Sequence, residues 1–260
     1  MHIKPKKYLG QHFLRDRTIA VKIVDALTFH RRYKTILEVG PGTGILTQIL
    51  FDRFPEETWL IDIDKESIDY LREKYPAKTS RILQGDFLQF NLENISGKGI
   101  GIIGNFPYNI SSQIFFKVLT DKEKIEEVVG MTQKEVALRI ASNPGNKIYG
   151  ILSVLLGAYY DIEYLFTVNP GVFYPVPKVK SAVLRLRRNT RKDLPCNEQV
   201  FFRIVKQGFQ NRRKTLRNAL KILNLPRQIQ ELRILDCRAE QLSVEDFIEL
   251  SSKIDVLWKK

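Results

Sequence analysis

Residues 34–44 read Lys-Thr-Ile-Leu-Glu-Val-Gly-Pro-Gly-Thr-Gly. A short apolar run closed by turn residues is the pattern of a buried strand. The glycines that follow let the backbone approach a ligand closely, because no Cβ stands in the way. Ile45 to Phe54 then steps at helical spacing. The same alternation continues downstream. Strands are predicted over Thr58 to Ile63, Ser80 to Gln84 and Ile100 to Gly104, with a helix over Lys65 to Tyr75. Strands alternating with helices imply an α/β fold with a parallel sheet. Further strands are expected at Val128 to Gln133, Glu163 to Val168 and Val179 to Arg187, and helices at Glu135 to Ser142 and Leu152 to Tyr160.

The polar, Pro-terminated stretch Arg188 to Pro195 places a domain boundary near residue 190. A sheet domain over 1–190 and a small all-α domain over 191–260 are therefore expected. In the second, Phe202, Val205, Phe209, Leu216, Leu220 and Leu223 form an apolar stripe. Lys206, Gln210, Arg213 and Arg217 are assigned to another face of the same helix.

Composition narrows the classes. The 260 residues are 43% hydrophobic and 27% charged, ordinary for a globular chain with a full core. Apolar runs are too short for a membrane span, and the N-terminus lacks the apolar core of a signal peptide. Two cysteines and three histidines without ligand spacing argue against a disulfide framework or a metal site, so a cytoplasmic protein is expected. The net charge of +13 is segregated. Residues 1–34 carry nine Lys and Arg against two Asp and Glu, and 175–220 carry thirteen against two. Between them, 35–174 carry thirteen against eighteen. Concentrated cations of this kind suit a polyanion.

Gly40, Asp62, Asp86 and Asn105 each follow a predicted strand. In an open α/β sheet all four would meet in one crevice beyond the carboxyl ends of the strands. The dinucleotide fingerprint fails in both registers, since Ile45 or Thr47 falls where a small residue is required. A Glu before Gly-Pro-Gly-Thr-Gly instead resembles the first motif of S-adenosylmethionine-dependent methyltransferases. Asp62 would then accept the ribose hydroxyls and Asp86 the adenine amine of the cofactor.

Asn105 opens Asn-Phe-Pro-Tyr (105–108). An amide oxygen and a nearby backbone carbonyl could accept both N–H bonds of an exocyclic adenine amine and aim its lone pair at a methyl donor. Positioning would dominate, with no strong general base. Tyr108 would stack on an extruded base. Extrusion costs a few kcal/mol and a stack returns roughly 1–3 kcal/mol, so a second aromatic is expected. Phe173 is the residue assigned that part, against the alternative that it is a core aromatic in a Pro-rich turn. The absence of a Cys from the motif argues against cytosine C5 chemistry. A DNA adenine methylase is disfavoured because the motif is not the acidic Asp-Pro-Pro-Tyr form.

Across nearly its whole length the chain resembles the ribosomal RNA adenine dimethylases, the small-subunit (16S) dimethyladenosine transferases in particular. The resemblance rests on Tyr8 to Leu14, the Gly40 loop, the Asn105 motif and Gln133 to Ala137. It continues through Phe173 to Val183 and Phe209 to Asn218. It implies a Rossmann-like S-adenosylmethionine-dependent methyltransferase sheet with helices on both faces, plus the small helical domain. It also implies dimethylation of two adjacent adenosines in the 3′-terminal hairpin of 16S rRNA within an immature small subunit, by a monomer needing no obligate protein partner. His12 and Leu14 join Gly40, Asp62, Asp86 and Asn105 around the cofactor, and Arg212, Arg213, Lys214 and Arg217 are expected to bind RNA. His12 stands where Asn is common and Phe106 where Leu is usual. His12 is expected to be a partly buried loop residue with no part in proton transfer, and Phe106 to alter packing under the base. The competing readings are a 23S rRNA adenine N6-methyltransferase of the macrolide-resistance type and a non-catalytic ribosome-assembly factor.

Overall fold

The computed structural model describes residues 3–95 and 99–259. A short strand β1 (Phe13–Leu14) and helix α1 (Arg17–Asp25) precede the alternating region. That region runs β2 (Thr35–Val39), α2 (Ile45–Arg53), β3 (Thr58–Asp62), α3 (Lys65–Lys74) and β4 (Ile82–Gln84). It continues with β5 (Ile100–Asn105), α4 (Ser111–Thr120) and β6 (Ile125–Gln133). Then come α5 (Lys134–Ile140), α6 (Ile151–Gly157), β7 (Tyr160–Val168), β8 (Phe173–Tyr174) and β9 (Ser181–Arg188). Helices α7 (Glu198–Gln210), α8 (Leu216–Ala219), α9 (Arg227–Gln230) and α10 (Val244–Trp258) follow. Among the described residues, no helix is long and apolar enough to cross a membrane.

Seven strands form one sheet in the order β4-β3-β2-β5-β6-β9-β7. The pairs from β4 to β6 are parallel, and β9 runs antiparallel to β6. Every residue of β2 is buried, as expected of a central parallel strand covered on both faces. The chain runs outward from β2 to β3 and β4, then returns to lay β5 on the other side of β2. That reversal is the topological switch point, where open α/β sheets bind ligands. Register brings the four strand ends to one edge. Glu38 pairs with Leu60 and Ile103, and Asp62 pairs with Gln84.

Close packing at this edge depends on residues without a side chain. A Cβ on Gly104 would lie 2.4 Å from the Val39 carbonyl oxygen, and one on Gly130 would lie 2.3 Å from the Phe106 ring. Phe106 is 1% exposed and meets Phe115 edge-on at 5.9 Å between centroids. Its extra bulk is therefore absorbed by the glycine on the neighbouring strand.

The chain divides into two compact units. One comprises Met1–Ala137 with Ile162–Arg188, the other Leu138–Asp161 with Asn189–Lys260. The junction between Arg188 and Asn189 falls near residue 190, whereas residues 138–161 belong to the second unit and not to a sheet domain over 1–190, because α6 packs on α7 and α10 and buries Leu152, Val154, Leu155 and Leu156 there. The long helix expected in this region is also interrupted. α7 is capped by Asn197, whose side chain accepts the Gln199 N–H at 2.8 Å, and ends at Gln210. Its buried face is Phe201, Ile204, Val205, Gly208 and Phe209; of the expected stripe, Val205, Phe209, Leu216 and Leu220 are buried, while Phe202 and Leu223 are only partly so. Lys206 and Gln210 therefore do not share a helix with Arg213 and Arg217.

Candidate active site

A cavity of about 290 Å³ lies beyond the strand ends, lined by Gly40, Asp62, Asp86 and Asn105 together with His12 and Tyr108. Six residues expected from sequence to act on cofactor or base thus meet in one place. Leu14 and Phe173 do not line it. Leu14 is 3% exposed and borders a smaller recess beside Glu38, Gly40 and Asn105. Phe173 is 2% exposed and belongs to the core cluster containing Ile23, Leu46 and Ile103. In the β1–β8 ladder Leu14 faces Phe173 and Phe13 faces Tyr174. Side chains alternate along a strand, so burying Phe173 turns Tyr174 outward. The second stacking aromatic assigned to Phe173 is accordingly not found on the cavity wall.

The glycine loop has the backbone a close ligand requires. Gly40, Gly42 and Gly44 take φ of +69°, +53° and +81°, a region costly for residues with a Cβ. A Cβ on Gly42 would also fall 2.8 Å from the Phe13 ring. Asp62 accepts hydrogen bonds from the Asp64 N–H at 2.9 Å and the Gly42 N–H at 3.3 Å. Burial nevertheless raises its carboxyl to about 6. Glu38 is buried more completely and accepts the Thr47 hydroxyl at 2.6 Å. Desolvation pushes its carboxyl up to about 8. Asp86 accepts the Leu88 N–H at 2.9 Å. Ile63, 55% exposed on the same wall, offers an apolar face to a flat ring.

Asn105 is held from the N-terminal segment. Its Nδ2 donates to the His12 carbonyl at 2.8 Å, which uses the donor side of the amide and leaves Oδ1 as the acceptor. The His12 ring stacks on Tyr108 at 5.1 Å and 27° between planes, and its Nδ1 lies 2.7 Å from the Pro175 carbonyl. The Tyr108 hydroxyl makes a short hydrogen bond with Ser181. Burial raises the Tyr108 phenol above its ordinary value, so it stays neutral near pH 7.

Sequence reasoning missed what fastens the segment that carries His12. Lys6 Nζ lies 2.6 Å from Asp64 Oδ1, and Gln11 Nε2 donates to Asp64 Oδ2 at 2.9 Å. Asp64 also caps α3 through the Glu66 N–H. The cap has a sequence signal, an Asp just before a helical pattern. Its partners lie more than fifty residues away and have none.

The four cations assigned to RNA lie in the other unit. Arg212 donates to the Lys147 carbonyl at 2.9 Å and to that of Tyr149. Arg217 pairs with Asp236 at 2.7 Å and donates to the Gln230 and Leu232 carbonyls. Arg213 and Lys214 are exposed in the turn between α7 and α8. All four are exposed, but Arg212 and Arg217 also tie loops through their guanidinium groups.

A profile of the family described as ribosomal RNA adenine dimethylase matches residues 2–255. The Ribosomal RNA small subunit methyltransferase A of Cytophaga hutchinsonii is 56% identical over 97% of this chain and 98% of its own length. Its counterpart in Flavobacterium johnsoniae is 53% identical, with 97% of each covered. Among solved structures, a dimethyladenosine transferase from Plasmodium falciparum superposes with a TM-score of 0.76 at 25% identity, covering 92% of this chain and 96% of that one. The 23S rRNA methyltransferase ErmE superposes with 0.66 at 26% identity, covering 92% and 98%.

Proposed function

The chain belongs to the ribosomal RNA adenine dimethylase family, and from that premise we propose that it dimethylates the N6 amines of two adjacent adenosines in the 3′-terminal hairpin of 16S rRNA. The methyl donor is S-adenosylmethionine, which when bound supplies an electrophilic methyl on a sulfonium. The residues fit it. Gly40 and Gly42 would leave room for it, the Asp62 carboxylate would accept its ribose hydroxyls, and Asp86 and Ile63 would flank its base, all five being residues of the cavity wall.

The observation that carries the mechanism is the Asn105–His12 hydrogen bond. With Nδ2 committed to the His12 carbonyl, Asn105 Oδ1 accepts one N–H of the target amine. A backbone carbonyl at Phe106 or Pro107, both on the cavity wall, accepts the second. In the first transfer both bonds would turn the amine lone pair out of conjugation with the ring; the monomethylated amine keeps one N–H, so a single such bond would orient it for the second. Positioning of this kind supplies most of the rate, and the proton leaves after transfer without a dedicated base. Tyr108 bears on the face of the base, fixed by Ser181 and backed by His12.

The small-subunit assignment is favoured over the 23S alternative by sequence similarity. Relatives named for the small subunit share 56% and 53% identity with this chain, against 26% for ErmE. A purely non-catalytic role is disfavoured by the complete set of Gly40, Asp62, Asp86, Asn105 and Tyr108 around one cavity. We further assign action on an immature small subunit in the cytoplasm, as a monomer without an obligate protein partner. The deciding experiment is mass spectrometry of under-methylated small subunits after incubation with the protein and S-adenosylmethionine. Two adjacent N6,N6-dimethyladenosines in the 3′-terminal hairpin are expected. Methylation confined to 23S rRNA, or none, would overturn the assignment.

A further inference from the structure

The segment that turns Phe173 inward presents an unusual surface on its other side. Tyr174 is 48% exposed, Val176 61% and Val179 44%, while Lys178 and Lys180 between and beyond them are exposed as well. Three exposed apolar side chains in six residues, with no acidic residue from 171 to 184, are a poor match to ordinary solvated surface. The guanidinium of Arg15 lies 4.2 Å from the centre of the Tyr174 ring. That contact braces the phenol ring on one side and adds positive charge beside it.

The location is as informative as the composition. Tyr174 pairs with Phe13 in the β1–β8 ladder, one residue from the His12 carbonyl that holds Asn105. The next residue, Pro175, lends its carbonyl to the His12 ring that backs Tyr108. The exposed aromatic is thus wired to the acceptor end of the cavity through a single residue. An aromatic face, a planar cation and flanking lysines are the components of a single-stranded nucleic-acid platform, in which rings take bases and cations take phosphates.

We propose that Tyr174 and Arg15, with Lys178 and Lys180, form a stacking subsite for the nucleotide adjoining the adenosine held at Asn105. The inference rests on the RNA reading of the active site. The subsite takes the neighbouring base on the open face of Tyr174 and its phosphates on the two lysines. Stacking here offsets the loss of base stacking when the target leaves the strand. It also keeps the neighbouring nucleotide at the mouth of the cavity.

The test uses the full-length protein and a synthetic hairpin of the 3′-terminal 16S sequence carrying 2-aminopurine next to the target adenosine. Wild-type protein is expected to quench the probe on binding, and Tyr174→Ala to lose that quenching. The same variant should raise KM for the hairpin about 5- to 150-fold, the range that removing one base–aromatic stack gives. KM for S-adenosylmethionine should be unchanged. Tyr174→Trp should restore both signals, which separates stacking from a folding defect. Equal quenching and equal hairpin KM in wild type and Tyr174→Ala would overturn the subsite. A defect seen with assembled small subunits but not with the hairpin would also overturn it, pointing to a protein contact. Quenching reports binding alone, so the subsite is decided even if methyl transfer to the hairpin fails. That failure would count against the assigned activity instead.

Discussion

Replacing Glu38 by Gln should stabilise the protein, and the gain should grow with pH. Glu38 is 1% exposed at the end of the central strand, and its carboxylate accepts the Thr47 hydroxyl. Desolvation moves its carboxyl from 4.5 to about 8. Each pH unit of that interval is worth about 1.4 kcal/mol. Burying Glu38 therefore costs about 5 kcal/mol above pH 8, where it is ionised in the fold, and about 3 kcal/mol at pH 7, where it must take up a proton. The sign follows from proton counting. Between the two values the folded state holds a proton that the unfolded chain has released, so stability falls as pH rises. Glutamine keeps the volume and an acceptor for Thr47 while removing the titration. The assay is urea unfolding of wild type and Glu38→Gln in a Trp258→Phe background, so that Trp59 on β3 reports the sheet unit. The two proteins should coincide near pH 4.5 and differ by about 3 kcal/mol at pH 7. The difference should level off above pH 8. A flat difference across that range would falsify the claim that burial governs Glu38.

Asn105→Ala removes the acceptor and leaves the His12 carbonyl without its donor. Methyl transfer should fall at least about 100-fold, the usual scale for losing one preorganised hydrogen-bonding group, while RNA affinity in filter binding holds. Turnover near wild type with radiolabelled methyl would refute the positioning role. Gly42→Ala places a Cβ 2.8 Å from the Phe13 ring at φ +53°. Calorimetry should show weaker S-adenosylmethionine binding, and unchanged affinity would mean that the loop yields without cost. Arg213→Ala with Lys214→Ala should weaken RNA binding and reduce the slope of log K against log salt by roughly 0.7–0.9 for each phosphate no longer neutralised. Arg217→Ala should instead loosen its own loop, detectable as faster amide exchange around Asp236, because its guanidinium is tied there. An unchanged salt slope in the double variant would make that turn mere solvated surface.

Much of the site was legible because each part announces itself locally. A strand closed by glycine, and three more closed by Asp62, Asp86 and Asn105, are patterns within a few residues of chain. The parallel sheet then converts those separate endings into one edge. Phe173 shows the limit. Its place beside two prolines and a tyrosine suited both a stacking role and a core role. The short ladder with β1 put it inside and Tyr174 outside. The continuous helix expected through Arg217 failed for a similar reason. Helical spacing persisted across Asn211 to Lys214, but the chain turned there, and Thr215 bridged to Arg238 instead.

The alternating α/β fold, the family, the cofactor class and the residues at the four strand ends can all be read from the chain before it folds. All of these are written in short-range periodicity and in residue types that few other chemistries need. How those residues are held follows from the folded arrangement alone. The carbonyl of His12 orients Asn105, Lys6 and Gln11 fasten the N-terminal strap to Asp64, and Gly130 admits the bulk of Phe106. These are contacts between residues far apart in the chain. No local pattern encodes them, because each depends on the sheet having already brought its partners together.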